Sequence, residues 1–460
     1  MKKLKIHQTD FSKGNVYRNI LEVAIPMMLA QLLNLLYNVV DRMYIGRIPG
    51  AGTTALTGVG VCFPLITLIT AFTYLYGNGG SPLCSMELGR EHYEEAEKIM
   101  GNCFVLLLGT SVVLMVIGYL FYKPVLYGFG ASDTTFAYAR EYIRIYLIGT
   151  PFVMISLGLN PFINAQGFGN MGMLTVLIGA VLNIVLDPLF IFVLHMGVKG
   201  AALATIISQM CSGIWVLRFL IGKKAILHLK KEAMKLQWKR VKAILSLGVS
   251  AFVMQFTNSL VQIFCNSTLQ VWGGDIYVGV MTVLTSIREI VTMIVHGLTN
   301  GSAPVMSFNY GEKAYGKVKQ AIKFVTVTCF CYAMFVWGII KVMPGFFIRI
   351  FNSQPEMITR GVPALHIYFF GFCFMALQFT GQSVFVALGK SKRATFFSIF
   401  RKVIIVVPLT VFLPHIGNLG VDGVFWAEPI SNLIGGCACF FTMLLTILPE
   451  LKEGKEEPAK

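Results

Sequence analysis

Asn183-Ile184-Val185-Leu186-Asp187-Pro188 places one carboxylate inside an otherwise uncharged apolar run. No Lys, Arg, Asp or Glu occurs from Ile145 to Leu186, and none from Leu189 to Val198. If this run crosses a bilayer, Asp187 costs roughly 2.5–3.5 kcal/mol to insert, so such an acid faces a bundle interior and serves an ion, a proton or a counter-charge. Asn183 lies one helical turn earlier and shares its face. Pro188 removes a backbone donor and predicts a bend there, leaving the Ile184 carbonyl free to turn towards a cation.

The rest of the chain supports the membrane premise. Of its 460 residues, 55% are apolar and 13% charged, against about 25% charged in soluble domains. Its mean hydropathy is +0.69. Uncharged runs such as Ile99–Tyr122 exceed the roughly 20 residues that span a bilayer. They recur without two-residue alternation, which excludes a β-barrel reading. Twelve spans are predicted, at about 17–44, 53–80, 95–122, 136–164, 171–194, 199–221, 242–271, 276–302, 317–343, 360–387, 394–414 and 421–447. The expected class is an all-α polytopic membrane protein.

The net charge of +16 would point to nucleic acid in a soluble protein. Here it is concentrated in alternate loops. The N-terminus, connections 2–3, 4–5, 6–7, 8–9 and 10–11, and the C-terminus carry 28 Lys or Arg, the opposite side 9, and Arg288 lies inside span eight. Both termini are therefore expected in the cytoplasm, with no nucleic-acid partner. The N-terminal stretch MKKLKIHQTDFSKGNVYR lacks the short apolar core of a cleavable signal, so the first span is expected to stay. The tail LKEGKEEPAK reads as a solvated end. Lys223–Lys242, with eight Lys or Arg and one Glu, reads as an amphipathic surface helix between spans six and seven. The ten cysteines lie in apolar segments and read as small core residues.

The chain repeats itself. Asn78–Tyr93 aligns with Asn300–Tyr315 at an offset of 222, which also pairs Tyr146 with Tyr368, Ala165 with Ala387 and Gly167 with Gly389. Offsets of 224 and 223 pair Gln31 with Gln255, Asn34 with Asn258, and Gly197 with Gly420. Six spans per half is an even number, so the halves enter the membrane alike and form parallel repeats about an axis along the membrane normal. The expected division is 1–222 for the first lobe, 223–242 for a basic cytoplasmic linker and 243–460 for the second lobe. The exceptions are informative. Asp41 aligns with Cys265, Asn183 with Val406, Thr205 with Glu428, and Asp187 with Leu409 or Thr410. The first half thus keeps Asp41 and Asp187, while the second carries Arg288, Glu289 and Glu428.

Four segments carry a family resemblance: AIPMMLAQLLNLLYNVVDRMYIGR in span one, NGGSPLCSMELGRE after span two, NIVLDPLFIF in span five and GVKGAALATIISQ in span six. With them the chain resembles the bacterial multidrug and toxic compound extrusion (MATE) transporters over nearly its whole length. The resemblance implies export of organic cations and other amphipathic drugs against inward flow of H⁺ or Na⁺. It implies a coupling site in the first lobe, with acids at Asp41 and Asp187, partners at Asn183 and Thr205, and Tyr142 and Asn160 nearby. It implies a multi-pass protein of the bacterial inner membrane, surrounded by lipid. We expect a monomer without a cofactor.

Each candidate has a plain structural alternative. Asp41 could pair with Arg42 at a span end, Asp187 could cap the bend at Pro188, and Thr205 could bond back to its own helix. Arg288 could pair with Glu289, or with Glu428, for structure alone. Gln31, Asn34, Gln255 and Asn258 could bridge helices or line a substrate cavity. If Asp41 and Asp187 meet in a dry site, they cannot both stay ionised cheaply: one takes a proton, or a cation binds between them. Na⁺, a hard cation, would find oxygen ligands at Asp41, Asn183, Asp187 and Thr205. A flippase for a lipid-linked precursor is the alternative function, and would need a large cationic cleft. HExxH and GxSxG are absent, against an enzyme, and no repeated carbonyl filter supports a channel.

Overall fold

The computed structural model describes residues 8–129, 131–351, 354–417 and 419–453. The first seven residues and the tail from residue 454 lie outside them, with most of the two terminal readings above. Among the described residues the chain is helical and contains no strand. The helices are α1 (Val16–Gly46), α2 (Gly52–Gly89), α3 (Tyr93–Gly128), α4 (Asp133–Ala165), α5 (Gly169–Pro188) and α6 (Val198–Ile221). A second series follows: α7 (Trp238–Gly274), α8 (Ile276–Gly311), α9 (Tyr315–Val342), the short α10 (Pro344–Phe351), α11 (Pro355–Tyr368), α12 (Phe372–Ala387), α13 (Ser391–His415) and α14 (Gly420–Lys452). Eleven are long and apolar enough to cross a membrane alone, and α11 with α12, bent by 49°, makes a twelfth. The expected twelve-span architecture is therefore present.

Local chemistry sets the boundaries. Ser132 caps α4 by accepting from the Thr135 N–H at 3.3 Å, while the Thr135 hydroxyl accepts from the Ser132 N–H at 2.9 Å. This reciprocal pair satisfies two donors that a helix start leaves orphaned. Gly274 separates α7 from α8 with φ +70°, a conformation that costs other residues a Cβ clash. Pro188 does not end its helix. The chain passes into a π-helical turn, Leu189–Val193, the kind of bulge that absorbs a missing ladder bond.

Two compact units emerge. The first comprises Met1–Gly14 and Glu22–Phe252, the second Asn15–Leu21 and Val253–Lys460. In the first, α4 is the central helix: 67% of its apolar window is buried, against 17% for α3. The internal repeat is visible atom by atom. Ser85 donates to the Ala165 carbonyl at 3.3 Å, and Ser307, 222 residues on, donates to the Ala387 carbonyl at 2.8 Å. Positive φ recurs at the same pairs: Glu91 (62°) and Lys313 (61°), Gly167 (84°) and Gly389 (73°), Gly197 (56°) and Gly420 (46°).

The linker departs from its sequence reading. Lys223–Lys242 is not an amphipathic helix before α7 begins, and only Lys231–Met234 forms a short 3₁₀ turn. Four of its backbone donors are taken by side chains of the first unit. Ile226 and Leu227 donate to Gln166 Oε1, both at 2.9 Å, His228 to Glu97 Oε1 at 2.9 Å, and Gln237 to Asn102 Oδ1 at 3.1 Å. Ala225, Leu227, Leu229 and Ala233 are buried. Fixed acceptors from α3 and α4 thus replace the i−4 carbonyls a helix would have used.

Candidate functional site

In the first unit, α1 and α5 bring the two membrane acids together. Asp187 is fully buried and Asp41 half-buried, and their carboxyl groups lie within hydrogen-bonding reach of each other. A hydrogen bond between two carboxyl groups needs a proton on one of them. Asn183 Nδ2 donates to Asp187 Oδ1 at 3.3 Å and to Thr205 Oγ1 at 3.4 Å. Thr205 in turn donates to the Ala201 carbonyl at 3.0 Å. The threonine therefore bonds back to its own helix and also anchors the amide.

Three oxygens in this cluster, Asp41 Oδ1, Asp187 Oδ2 and Asn183 Oδ1, are enclosed without a hydrogen-bond partner. The cluster is therefore rich in acceptors and short of donors. Neither carboxylate forms an ion pair among the described residues. Arg42 acts on Asp41 only at range: it is exposed, and its guanidinium sits 4.7 Å from the Phe63 ring centre. Tyr37 and Tyr142 lie within electrostatic range of Asp41, and Tyr142 stacks on Tyr146 at 6.1 Å. Tyr37 was not singled out from the sequence. Its position one turn before Asp41, on the same helical face, was the available signal.

Asn160 is placed elsewhere. Its amide donates to the Gly172 carbonyl at 3.3 Å, three helical turns before Asn183 on α5, or about 16 Å along the axis. Gln31 is half-buried and Asn34 exposed, with the Asn34 carbonyl accepting from Asn38 at 2.7 Å.

The second unit holds a different cluster. Glu428 Oε1 receives Arg288 at 3.3 Å, Arg401 at 3.4 Å and Lys402 at 3.2 Å. Arg401 also donates to Asn432 Oδ1. A narrow cavity with about 10 Å³ of enclosed room opens here. Asn258, Arg288 and Glu428 from the sequence-derived set line it; Gln255 and Glu289 do not, and Glu289 is exposed. Arg401 and Lys402 were missed because the loop count assigned them to connection 10–11. Both are buried, on a π-helical stretch inside α13. Their place beyond the apolar Phe396–Phe400 stretch was the overlooked signal. All ten cysteines are free.

Cys265, Val406, Thr410 and Glu428 line this cavity, the residues that the repeat aligns with Asp41, Asn183, Asp187 and Thr205. The Cys265 thiol meets the Thr410 hydroxyl at 3.8 Å, as Asp41 meets Asp187. Of the two alignments open for Asp187, the geometry favours Thr410.

Comparison with known proteins follows the same pattern. The MatE family model matches twice, over residues 26–189 and 250–412. The chain is 24% identical to the multidrug export protein MepA of Staphylococcus haemolyticus over 439 residues, covering 95% of this chain and 94% of that protein. MepA of Staphylococcus aureus (strain MRSA252) is 21% identical with the same coverage. A crystal structure of a MATE protein in complex with MaD3S superposes with a TM-score of 0.90 at 23% identity, covering 98% of this chain and 99% of that one. An outward-facing multidrug resistance MATE family transporter of the MOP superfamily gives the same score and identity over 99% and 100%.

Proposed function

The chain belongs to the MatE family of transporters, and from that premise we propose that it is a secondary active antiporter. It is a polytopic membrane transporter, not an enzyme. In our reading it exports cationic or amphipathic drugs and toxins in exchange for H⁺ or Na⁺. It works as a monomer in the bacterial inner membrane, with both termini in the cytoplasm. The multidrug-export names of its relatives support the cargo class.

One observation carries the coupling assignment: Asp41 and Asp187 meet in an enclosed cluster that has three oxygens receiving no donor and, among the described residues, no cationic side chain. Such a site takes up positive charge. A proton shared by the carboxyl groups relieves their repulsion. A Na⁺ would instead be held by Asp41, Asp187 and the Asn183 amide oxygen, with Thr205 fixing the amide. Coupling by alternating access needs the ion and the drug to favour different conformations. Breaking the Asp41–Asp187 contact is the change that would separate those states.

The test is uptake of a fluorescent organic cation into vesicles under a separately imposed pH or Na⁺ gradient. Asp41→Asn and Asp187→Asn should each abolish gradient-driven uptake. Unimpaired transport in both variants, at normal expression, would remove the pair from the mechanism. A lipid-linked-precursor flippase would instead show lipid intermediates accumulating in a deletion strain, with dye resistance unchanged.

A further inference from the structure

The second unit buries more positive charge than it neutralises. Three cations, Arg288, Arg401 and Lys402, converge on the single carboxylate of Glu428, all through Oε1. Among the described residues its other oxygen receives only Lys402, at 3.5 Å. Guanidinium groups do not shed their protons in proteins. Glu289 acts on Arg288 from outside the cavity and is exposed. With Lys402 protonated, counting both carboxylates against three cations leaves one positive charge over, inside a membrane-spanning bundle where unpaired charge is expensive.

A second feature points the same way. Tyr368 lines the cavity, its side chain is 4% exposed, and its hydroxyl has no hydrogen-bond partner. The Arg288 guanidinium sits 5.7 Å from its ring centre. This buried O–H donor, in a cavity that Arg288 and Lys402 also line, lacks an acceptor.

We propose that this cavity is an anion site that takes a carboxylate, held by Arg288, Lys402 and the Tyr368 hydroxyl. One monovalent anion brings the charge count to zero and gives Tyr368 its acceptor. Glu428 then holds the cations together rather than binding the coupling ion. The site does not depend on the coupling role of Asp41 and Asp187, and it survives even if both asparagine variants transport normally. The carboxylate has two sources: a free small anion, or the head group of an organic anion.

The experiment is isothermal titration calorimetry on the detergent-purified full chain, with sodium acetate, its neutral isostere acetamide, and sodium benzoate. Acetate should bind saturably and acetamide should not. Tyr368→Phe, which removes one oxygen and keeps the ring, should weaken acetate about tenfold, the value of one hydrogen bond to a charged group. Lys402→Met should weaken it further. If that variant does not fold, the Tyr368→Phe comparison still decides. Benzoate binding tighter than acetate identifies an organic-anion head-group site, and binding no tighter identifies a free-anion site. No saturable acetate binding, acetate no better than acetamide, or unchanged affinity in Tyr368→Phe would each overturn the proposal.

Discussion

The two units run the same backbone plan into opposite electrostatics. Where the first has Asp41 against Asp187, the second has Cys265 against Thr410. Where the first has Thr205 hydrogen-bonded to Asn183, the second has Glu428 beneath Arg288, Arg401 and Lys402. Lys402 aligns with Gly179, and Arg288 with Ile66, at the repeat offsets. The two units thus share backbone features while the side chains at matching positions carry opposite charge. The packing that makes such a pocket depends on shape, which a Cys–Thr contact can keep. The charge depends on a few side chains, which can change without disturbing the fold.

The largest effect that tests this contrast is loss of the acid pair. Asp187→Asn should reduce gradient-driven cation uptake in vesicles by at least about tenfold. A neutral amide can still accept the Asn183 bond but cannot trade a proton or hold a cation. Retained uptake would mean that the acidic character of the first unit is incidental. Next is Glu428→Gln. It leaves the buried Arg401 and Lys402 and the half-buried Arg288 without their carboxylate, a change that costs about 3–5 kcal/mol. The melting temperature should fall clearly, and saturating acetate should recover part of the loss. An unchanged melting temperature would show that the second cluster is not held by its acid.

A smaller effect is expected from Asn183→Val, which gives the first unit the residue found at Val406. Asp187 loses its amide donor, worth about 1.5 kcal/mol or more for a bond to a charged group. The apparent affinity for the coupling ion should therefore shift by about tenfold, read from the ion-concentration dependence of uptake. The smallest effect lies at the linker. Lys230 Nζ donates to Glu97 Oε2 at 2.7 Å, and that bond holds the Lys230 ammonium above its ordinary range. A raised folded value means the contribution is complete below the unfolded value of about 10.4 and is lost as pH climbs through the folded one. Lys230→Met should lower the melting temperature slightly at pH 7, and the difference from wild type should vanish at strongly alkaline pH.

Much of the fold was legible from residue order. Long uncharged runs must be helices in a bilayer, because lipid offers backbone groups no partners. The 222-residue offset foretold the paired Ser85 and Ser307 bonds, and Asn183 with Asp187 was readable as one turn of one helix. The linker misled because its Leu and Lys spacing suits a surface helix, whereas its backbone donors go to Glu97, Gln166 and Asn102. Arg401 and Lys402 were misread because hydropathy averages over a window and cannot say how deep a cation sits.

Composition and periodicity by themselves determined the class, the number of spans and the duplication, since these follow from local rules of helix formation and apolar transfer. Tertiary structure alone decided that Asp41 touches Asp187 across 146 positions, that Thr205 receives the Asn183 amide, and that three cations share Glu428. Those contacts depend on how helices distant in sequence pack, and their energy depends on burial, which no stretch of sequence carries on its own.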